Sequence, residues 1–281
     1  SFPTRRSSDL ISDEEAYPFI TWVGEEVDEA YYKEVMAIEV NPGMDKKDFK
    51  IVFSPQHGTS NIAVRTCLTR LGYDIVPVLA QCAPDPDYTN TKSPNPEVDA
   101  SYELAIKLAK EVDADVVAIT DPDGDRLGVV AKHNGEYVLM SGNQSAAVYL
   151  EYILSQRKEK GTLPDNAVMY NTIVTSDLGE LVARNYGVDV EKTLTGFKFI
   201  GDKIRKYEKT HEKQFIFGYE ESYGCVVEDF VRDKDAVQAV LLAAECGNYY
   251  KKQGKDLIMN LGYSHQVIVS DTEDIKIESP A

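Results

Sequence analysis

Two trains of short apolar runs, each alternating with helix-length segments, constrain this chain more than any other feature. In the first train, "FKIVFS" (49–54), "DIVPVLA" (74–80) and "ADVVAIT" (114–120) read as strands, being short, rich in β-branched and aromatic residues and closed by turn formers. Between them, "NIAVRTCLTRLG" (61–72) and "VDASYELAIKLAKEV" (98–112) carry apolar residues at helical spacing. "LGVVAK", an Asn134-Gly135 turn and "EYVLM" add a hairpin. After the polar stretch "SQRKEKGTLPDN" the order starts again. "AVMYNTIV" is a strand, "SDLGELVARNYG" a helix with an Asp or Ser cap and a Gly stop, and "VDVEKT" a strand. The loop "LTGFK" leads into "FIGDKIRKYEK", followed by the strand "QFIFGY" and the long helix "DAVQAVLLAAECGNYYKKQG". Strands that alternate with helices pack as a largely parallel sheet covered on its faces. The fold class expected is therefore α/β, with two successive α/β domains and mainly parallel mixed sheets.

The polar stretch places the first domain at 41–157 and the second at 163–262. Residues 11–40 read as a linker and a helix over Glu25–Val40, and 263–281 as a C-terminal tail. The first ten residues, "SFPTRRSSDL", lack the apolar stretch of a signal peptide and are expected to be an assembly artefact.

A formal charge of -17 argues against nucleic acid as a partner, since that surface needs a basic face. No apolar run is long enough to span a membrane. Cys67, Cys82, Cys225 and Cys246 show no CxxC spacing and read as reduced thiols, which points to the cytoplasm.

Against that negative background, "TDPDGDR" (120–126) crowds Asp121, Asp123 and Asp125 into one loop. Carboxylates about 5 Å apart repel by roughly 3 kcal/mol per pair at an effective dielectric near 20, so a cation at their centre is expected. Gly124 lets the backbone curl so that the three converge, and hard oxygen donors of this kind suit Mg²⁺. A calcium EF-hand does not fit, because Arg126 stands where that loop needs Gly and Lys132 where it needs Glu. Arg126 either pairs with its aspartate neighbours or binds an oxygen of a phosphoryl group held by the metal.

Other loops are less specific taken singly. "GYEESYG" (218–224) offers Glu220 and Ser222, a carboxylate and a hydroxyl suited to sugar hydroxyls, or else a plain acidic loop tip. "VRDKDAV" (231–237) brings Arg232 and Lys234 to a helix start, where they could hold a phosphate or move a proton, or form a solvated turn. "LTGFK" supplies Thr195, Gly196 and Lys198. "GFKFIGDK" misses the Lys that must follow the second Gly of a P-loop, and no GxGxxG occurs. His57 in "QHGTSN" reads as a structural hydrogen-bonding residue before it reads as a catalyst. The loops 121–126, 194–198 and 218–224 all begin where an expected strand stops, the place where α/β sheets gather ligands.

Taken in order, "TDPDGDR", "TLTGFKFIGDKI", "GYEESYG" and "RDKDA" resemble the α-D-phosphohexomutases, nearest the phosphoglucomutase and phosphopentomutase branch with a TGFK loop. The resemblance covers about Asp13 to Gly262 and implies an isomerase that shuttles a phosphoryl group between a serine and a sugar monophosphate through a bisphosphate. The sugar implied is glucose 1-/6-phosphate or a pentose 1-/5-phosphate. It further implies that Asp121, Asp123 and Asp125 ligate Mg²⁺, with Arg126 and Lys234 catalytic. Glu220, Ser222, Thr195, Gly196, Lys198 and Arg232 are implied to bind the sugar phosphate. Only the second and third of the family's four domains are matched: the serine loop of domain 1 and the phosphate-clamping loop of domain 4 are absent. Those domains are then expected as partners of this one, and the chain alone is expected to be inactive. Two alternatives are a non-catalytic module that binds metal or sugar phosphate, and a phosphatase using Asp121 as nucleophile. The second is weakened because such hydrolases place their D-x-D after the first strand, and here it follows the third.

Overall fold

The computed structural model describes residues 11–262. A one-turn helix, α1 (Asp13–Ala16), and helix α2 (Glu25–Met36) lead into the first unit. This unit runs β1 (Lys50–Ser54), α3 (Ser60–Arg70), β2 (Asp74–Pro77), α4 (Glu103–Val112), β3 (Val116–Thr120), β4 (Leu127–His133) and β5 (Glu136–Met140). Its five strands lie in the order β2-β1-β3-β4-β5. β1 is parallel to β2 and β3, while β4 and β5 return antiparallel through the Asn134-Gly135 turn. Helix α5 (Gly142–Glu159) connects to the second unit: β6 (Ala167–Thr172), α6 (Leu178–Asn185), β7 (Asp189–Thr193), α7 (Phe197–Thr210), β8 (Gln214–Tyr219), β9 (Cys225–Val226) and α8 (Ala236–Lys252). That sheet has four strands in the order β7-β6-β8-β9, with only β9 antiparallel.

Alternate residues of the strands enter different cores, as the pleat requires. On the first sheet Ile51, Phe53, Val116, Ala118 and Val129 face one cluster. Val52, Val117, Ile119 and Val130 face the other, which α4 closes with Ala105 and Ala109. On the second sheet α7 covers Val168, Tyr170 and Phe215 with Phe197, Ile200 and Ile204. The remaining core is continuous between the two units and draws on both sheets and on α3, α5, α6 and α8.

Two helices cross over to build it. α5 follows the first sheet but packs on α6, and α8 follows the second sheet, keeps contact with β9 and packs on α3, β3 and β4. The expected cut at 157–163 thus falls beyond a helix that belongs, by packing, to the second unit. Both crossing helices are tied down by polar contacts. Glu245 on α8 is fully buried, and its carboxylate accepts from the backbone N–H groups of Val40 and Asn41. The Asn41 amide in turn donates to Tyr152 Oη and Gln156 Oε1 of α5 at 2.9 and 3.1 Å.

Several expected boundaries shift for local reasons. The strand expected over 74–80 ends at Pro77, although Val78 N–H still donates to Phe53 O at 2.8 Å, because the chain then turns into a 3₁₀ turn over Leu79–Gln81. The first helix ends at Met36 rather than Val40. β6 ends at Thr172, leaving Ile173 and Val174 exposed. The Asp or Ser cap expected on α6 is not made: Asp177 occupies the cap position, but its carboxylate accepts from Lys192 Nζ at 2.8 Å. The cysteines are free thiols. Among the described residues no helix is long and apolar enough to cross a membrane.

Candidate functional site

β3 ends at Thr120, and the chain then turns through Asp121 to Arg126 before β4 begins. Gly124 takes φ +74°, a left-handed conformation that costs other residues roughly 1 kcal/mol or more. The curl brings one carboxylate oxygen each of Asp121, Asp123 and Asp125 within 4.8 Å of one another. Asp121 is buried, and its Oδ1 accepts from the N–H groups of Asp125 at 3.0 Å and Arg126 at 2.9 Å. Despite those bonds, burial and then the charges of Asp125 and Asp123 push the Asp121 carboxyl up to about 7. A clustered set of hard oxygen donors under such repulsion fits a small divalent cation, the arrangement expected from the sequence.

The loop after β1 buttresses this turn. Thr59 N–H donates to Pro122 O at 2.9 Å, and Gly58 lies so close that a Cβ there would stand 2.4 Å from Pro122 Cα. His57 belongs to this support: its Nδ1 is 2.7 Å from Ala83 O and its ring meets the Tyr88 ring edge-on.

The second unit reaches across to the acidic loop through the segment before α8. Lys234 Nζ lies 2.7 Å from Asp125 Oδ2 and 3.9 Å from Glu220 Oε2. Burial alone would lower the Lys234 ammonium's pKa, but the Asp125 bond and the charges of Glu220 and Asp233 outweigh it and hold it above its ordinary value. Glu220 is buried, and its Oε1 accepts from Gly196 N–H at 2.9 Å. One chain of contacts therefore links the acidic loop, Lys234, the 218–224 loop and the 194–198 loop. Leu127 N–H, donating to Tyr223 O at 2.9 Å, joins the acidic loop to the 218–224 loop again.

Not every expected residue enters that chain in the same way. Arg126 places Nε 3.7 Å from both Asp121 Oδ2 and Asp125 Oδ1, but its Nη1 donates to Glu97 Oε1 at 2.8 Å. Thr195 and Lys198 are exposed and Ser222 is half-buried. Lys198 and Arg232 line a cleft of about 960 Å³ that also takes in Tyr31, Ser60, Asp123 and Arg205. The Arg232 guanidinium donates to Asp229 O of its own loop and to Glu208 Oε2 of α7.

Sequence reading missed Glu97 as the partner of Arg126, because 29 residues separate them. It also missed Thr172 and Thr175, whose hydroxyls both donate to Glu221 Oε2 at 3.1 Å and so tether the 218–224 loop to β6. Neither pairing leaves a spacing signal, since each forms only when distant segments meet.

The chain is similar to known proteins. Residues 29–135 match the family description "Phosphoglucomutase/phosphomannomutase, alpha/beta/alpha domain II", and residues 141–262 match that of domain III. A phosphoglucomutase of Staphylococcus epidermidis is 38% identical over 259 residues, covering 89% of this chain and 46% of that protein. A phosphomannomutase of Mycoplasmoides pirum is 34% identical over 244 residues, covering 86% of this chain and 44% of its own length. Among solved structures, a putative phosphomannomutase from Thermus thermophilus shares the fold with a TM-score of 0.68 at 20% identity, over 86% of this chain and 51% of that one. The chain spans about half the length of the curated relatives it matches. With both domain descriptions matched in order over most of its length, the chain belongs to the α-D-phosphohexomutase superfamily, of which it carries domains II and III.

Proposed function

We propose that this chain is the metal- and sugar-binding part of a phospho-sugar mutase. The reaction interconverts a sugar 1-phosphate and its 6-phosphate, or a pentose 1- and 5-phosphate. The observation that carries the reading is the 2.7 Å contact of Lys234 with Asp125, with Glu220 3.9 Å from the same ammonium. It sets a cation-binding loop and a polyol-binding loop within one side chain's reach. Asp121, Asp123 and Asp125 would hold Mg²⁺, which when bound supplies positive charge to a transferring phosphoryl group. Arg126 would offer a guanidinium to the same phosphoryl oxygens once it lets go of Glu97. Lys234 would hold or pass the proton of the sugar hydroxyl that attacks, or place its charge on the phosphate. Glu220, Ser222, Thr195, Gly196, Lys198 and Arg232 would orient the sugar phosphate. The phosphoserine and the phosphate clamp belong to domains I and IV of the whole protein, which would work in the cytoplasm.

Titration of the chain with Mg²⁺ by calorimetry tests the metal assignment. One equivalent is expected to bind, and Asp123→Asn with Asp125→Asn is expected to weaken it about 100-fold or more, since two of three charged ligands are lost. Uptake that ignores both substitutions overturns the assignment. A coupled assay converting glucose 1-phosphate to glucose 6-phosphate is expected to show no turnover by the 281-residue chain alone. Turnover at an ordinary enzymatic rate, roughly 1 per second or more, overturns the assignment of phosphoryl transfer to a serine outside it.

A further inference from the structure

Asp235 follows Lys234 directly and is buried, yet the chemistry above leaves it no part. Its carboxylate is ringed by hydrogen-bond donors. Tyr31 Oη donates at 2.8 and 3.0 Å, the N–H groups of Val237 and Gln238 at 2.8 and 3.4 Å, and Gln238 Nε2 at 3.2 Å. The residue's own backbone adds a further contact, its N–H donating to Cys225 O at 3.0 Å. One residue on, Ala236 N–H donates to Gly124 O at 2.9 Å, at the apex of the acidic loop. Tyr31 itself comes from α2, 204 residues away in sequence, and its ring rests edge-on against Phe230.

These contacts meet at one point. The side chain of Asp235 fixes the first turn of α8, its N–H fixes β9 beside the 218–224 loop, and its neighbour's N–H fixes the acidic loop. Lys234 is thereby held between the two loops by backbone that cannot shift without breaking at least one of these bonds. We infer that Asp235, clamped by Tyr31, is a positioning residue that sets the spacing between the cation-binding loop and the sugar-binding loop. Helix α2 then serves as the outer jaw of the site, so that whatever moves α2 is transmitted to both loops. The inference rests on the reading of those loops given above for its functional meaning, but the mechanical coupling stands on contacts that need no ligand.

Amide hydrogen exchange on the whole chain, read by mass spectrometry without added metal, tests the coupling. Tyr31→Phe keeps the ring and removes only the hydroxyl. It is expected to speed exchange about tenfold in peptides covering 121–127 and 223–237, with α4 unchanged. Asp235→Ala is expected to do more, and Asp235→Asn, which keeps an acceptor for Val237, Gln238 and Tyr31, to restore most of the protection. Faster exchange confined to those two segments and rescued by Asn supports the clamp. Unchanged exchange there, or an equal rise throughout the molecule, overturns it. Mg²⁺ titration of the same proteins is a separate arm. If the parent chain binds Mg²⁺, Tyr31→Phe is expected to weaken it about fivefold, the net worth of one hydrogen bond. If the parent binds none, the metal assignment falls while the exchange data still judge the clamp.

Discussion

At Glu191 on β7 one carboxylate is shared by three donors: Lys213 Nζ at 2.9 Å, Lys203 Nζ at 2.9 Å and Tyr207 Oη at 2.8 Å. At the tip of β3 the balance is reversed: three carboxylates gather, only Asp121 and Asp125 pair with Arg126 or Lys234, and each of those cations also serves another acid. The two regions therefore respond to burial in opposite ways. Burial raises the Glu191 carboxyl more than any single partner lowers it, yet Lys213, Lys203 and Tyr207 together bring it down to about 2. Asp121 has no such surplus and sits at about 7. The difference separates an ion cluster whose cations outnumber its carboxylate from a loop whose carboxylates outnumber their cationic partners.

The strongest way to break the comparison is to remove each carboxylate's charge and measure folding free energy in metal-free buffer near pH 8. Glu191→Ala is expected to cost about 1–2 kcal/mol, below the full pKa-derived value because Lys203 is 40% exposed and screened by water. Asp121→Asn keeps an oxygen for the two N–H donors and removes the repelled charge, so it is expected to stabilise by about 1 kcal/mol. Chemical denaturation of the two variants checks both signs. Equal signs would mean the acidic loop is already compensated.

pH sharpens it next. Glu191 is lowered from 4.5, so its contribution is present above 4.5 and is lost as pH falls through about 2. Asp121 is raised from 3.8, so its contribution is present below 3.8 and is lost as pH rises through about 7. Melting curves across about pH 2–8 are expected to lose part of their acid-side slope in Glu191→Gln and part of their slope toward neutral pH in Asp121→Asn. The smallest effect belongs to Glu97→Gln. That carboxylate is 41% exposed and its bond to Arg126 lies at the rim, so a change within about 0.5 kcal/mol is expected, abolished by added salt.

Much of this was readable in advance because strands announce themselves locally. Five consecutive residues of β3 are buried and five of its neighbours in β4 are too, so both segments are apolar runs at strand length. The acidic loop was equally legible, since its three carboxylates lie within five residues and need no distant partner to be noticed. Helix α5 was not. Most of it is buried, with Ala146, Val148, Leu150, Tyr152 and Leu154 all inside, and only the narrow polar stripe of Gln144, Glu151, Ser155 and Lys158 marks a helical period. The same feature hid the division between units: a helix with so broad a buried surface packs against more than one layer, and nothing in its own residues says which.

Sequence alone determined the alternation of strand and helix and the crowding of three carboxylates in one loop, because those properties are carried by neighbours in the chain. Tertiary structure decided that α5 packs on α6, that α8 bridges β9 and the first unit, and that Lys234 reaches Asp125. It also decided that Tyr31 braces Asp235. Each of these joins segments far apart in sequence, and such contacts exist only where packing of the shared core brings the two backbones together.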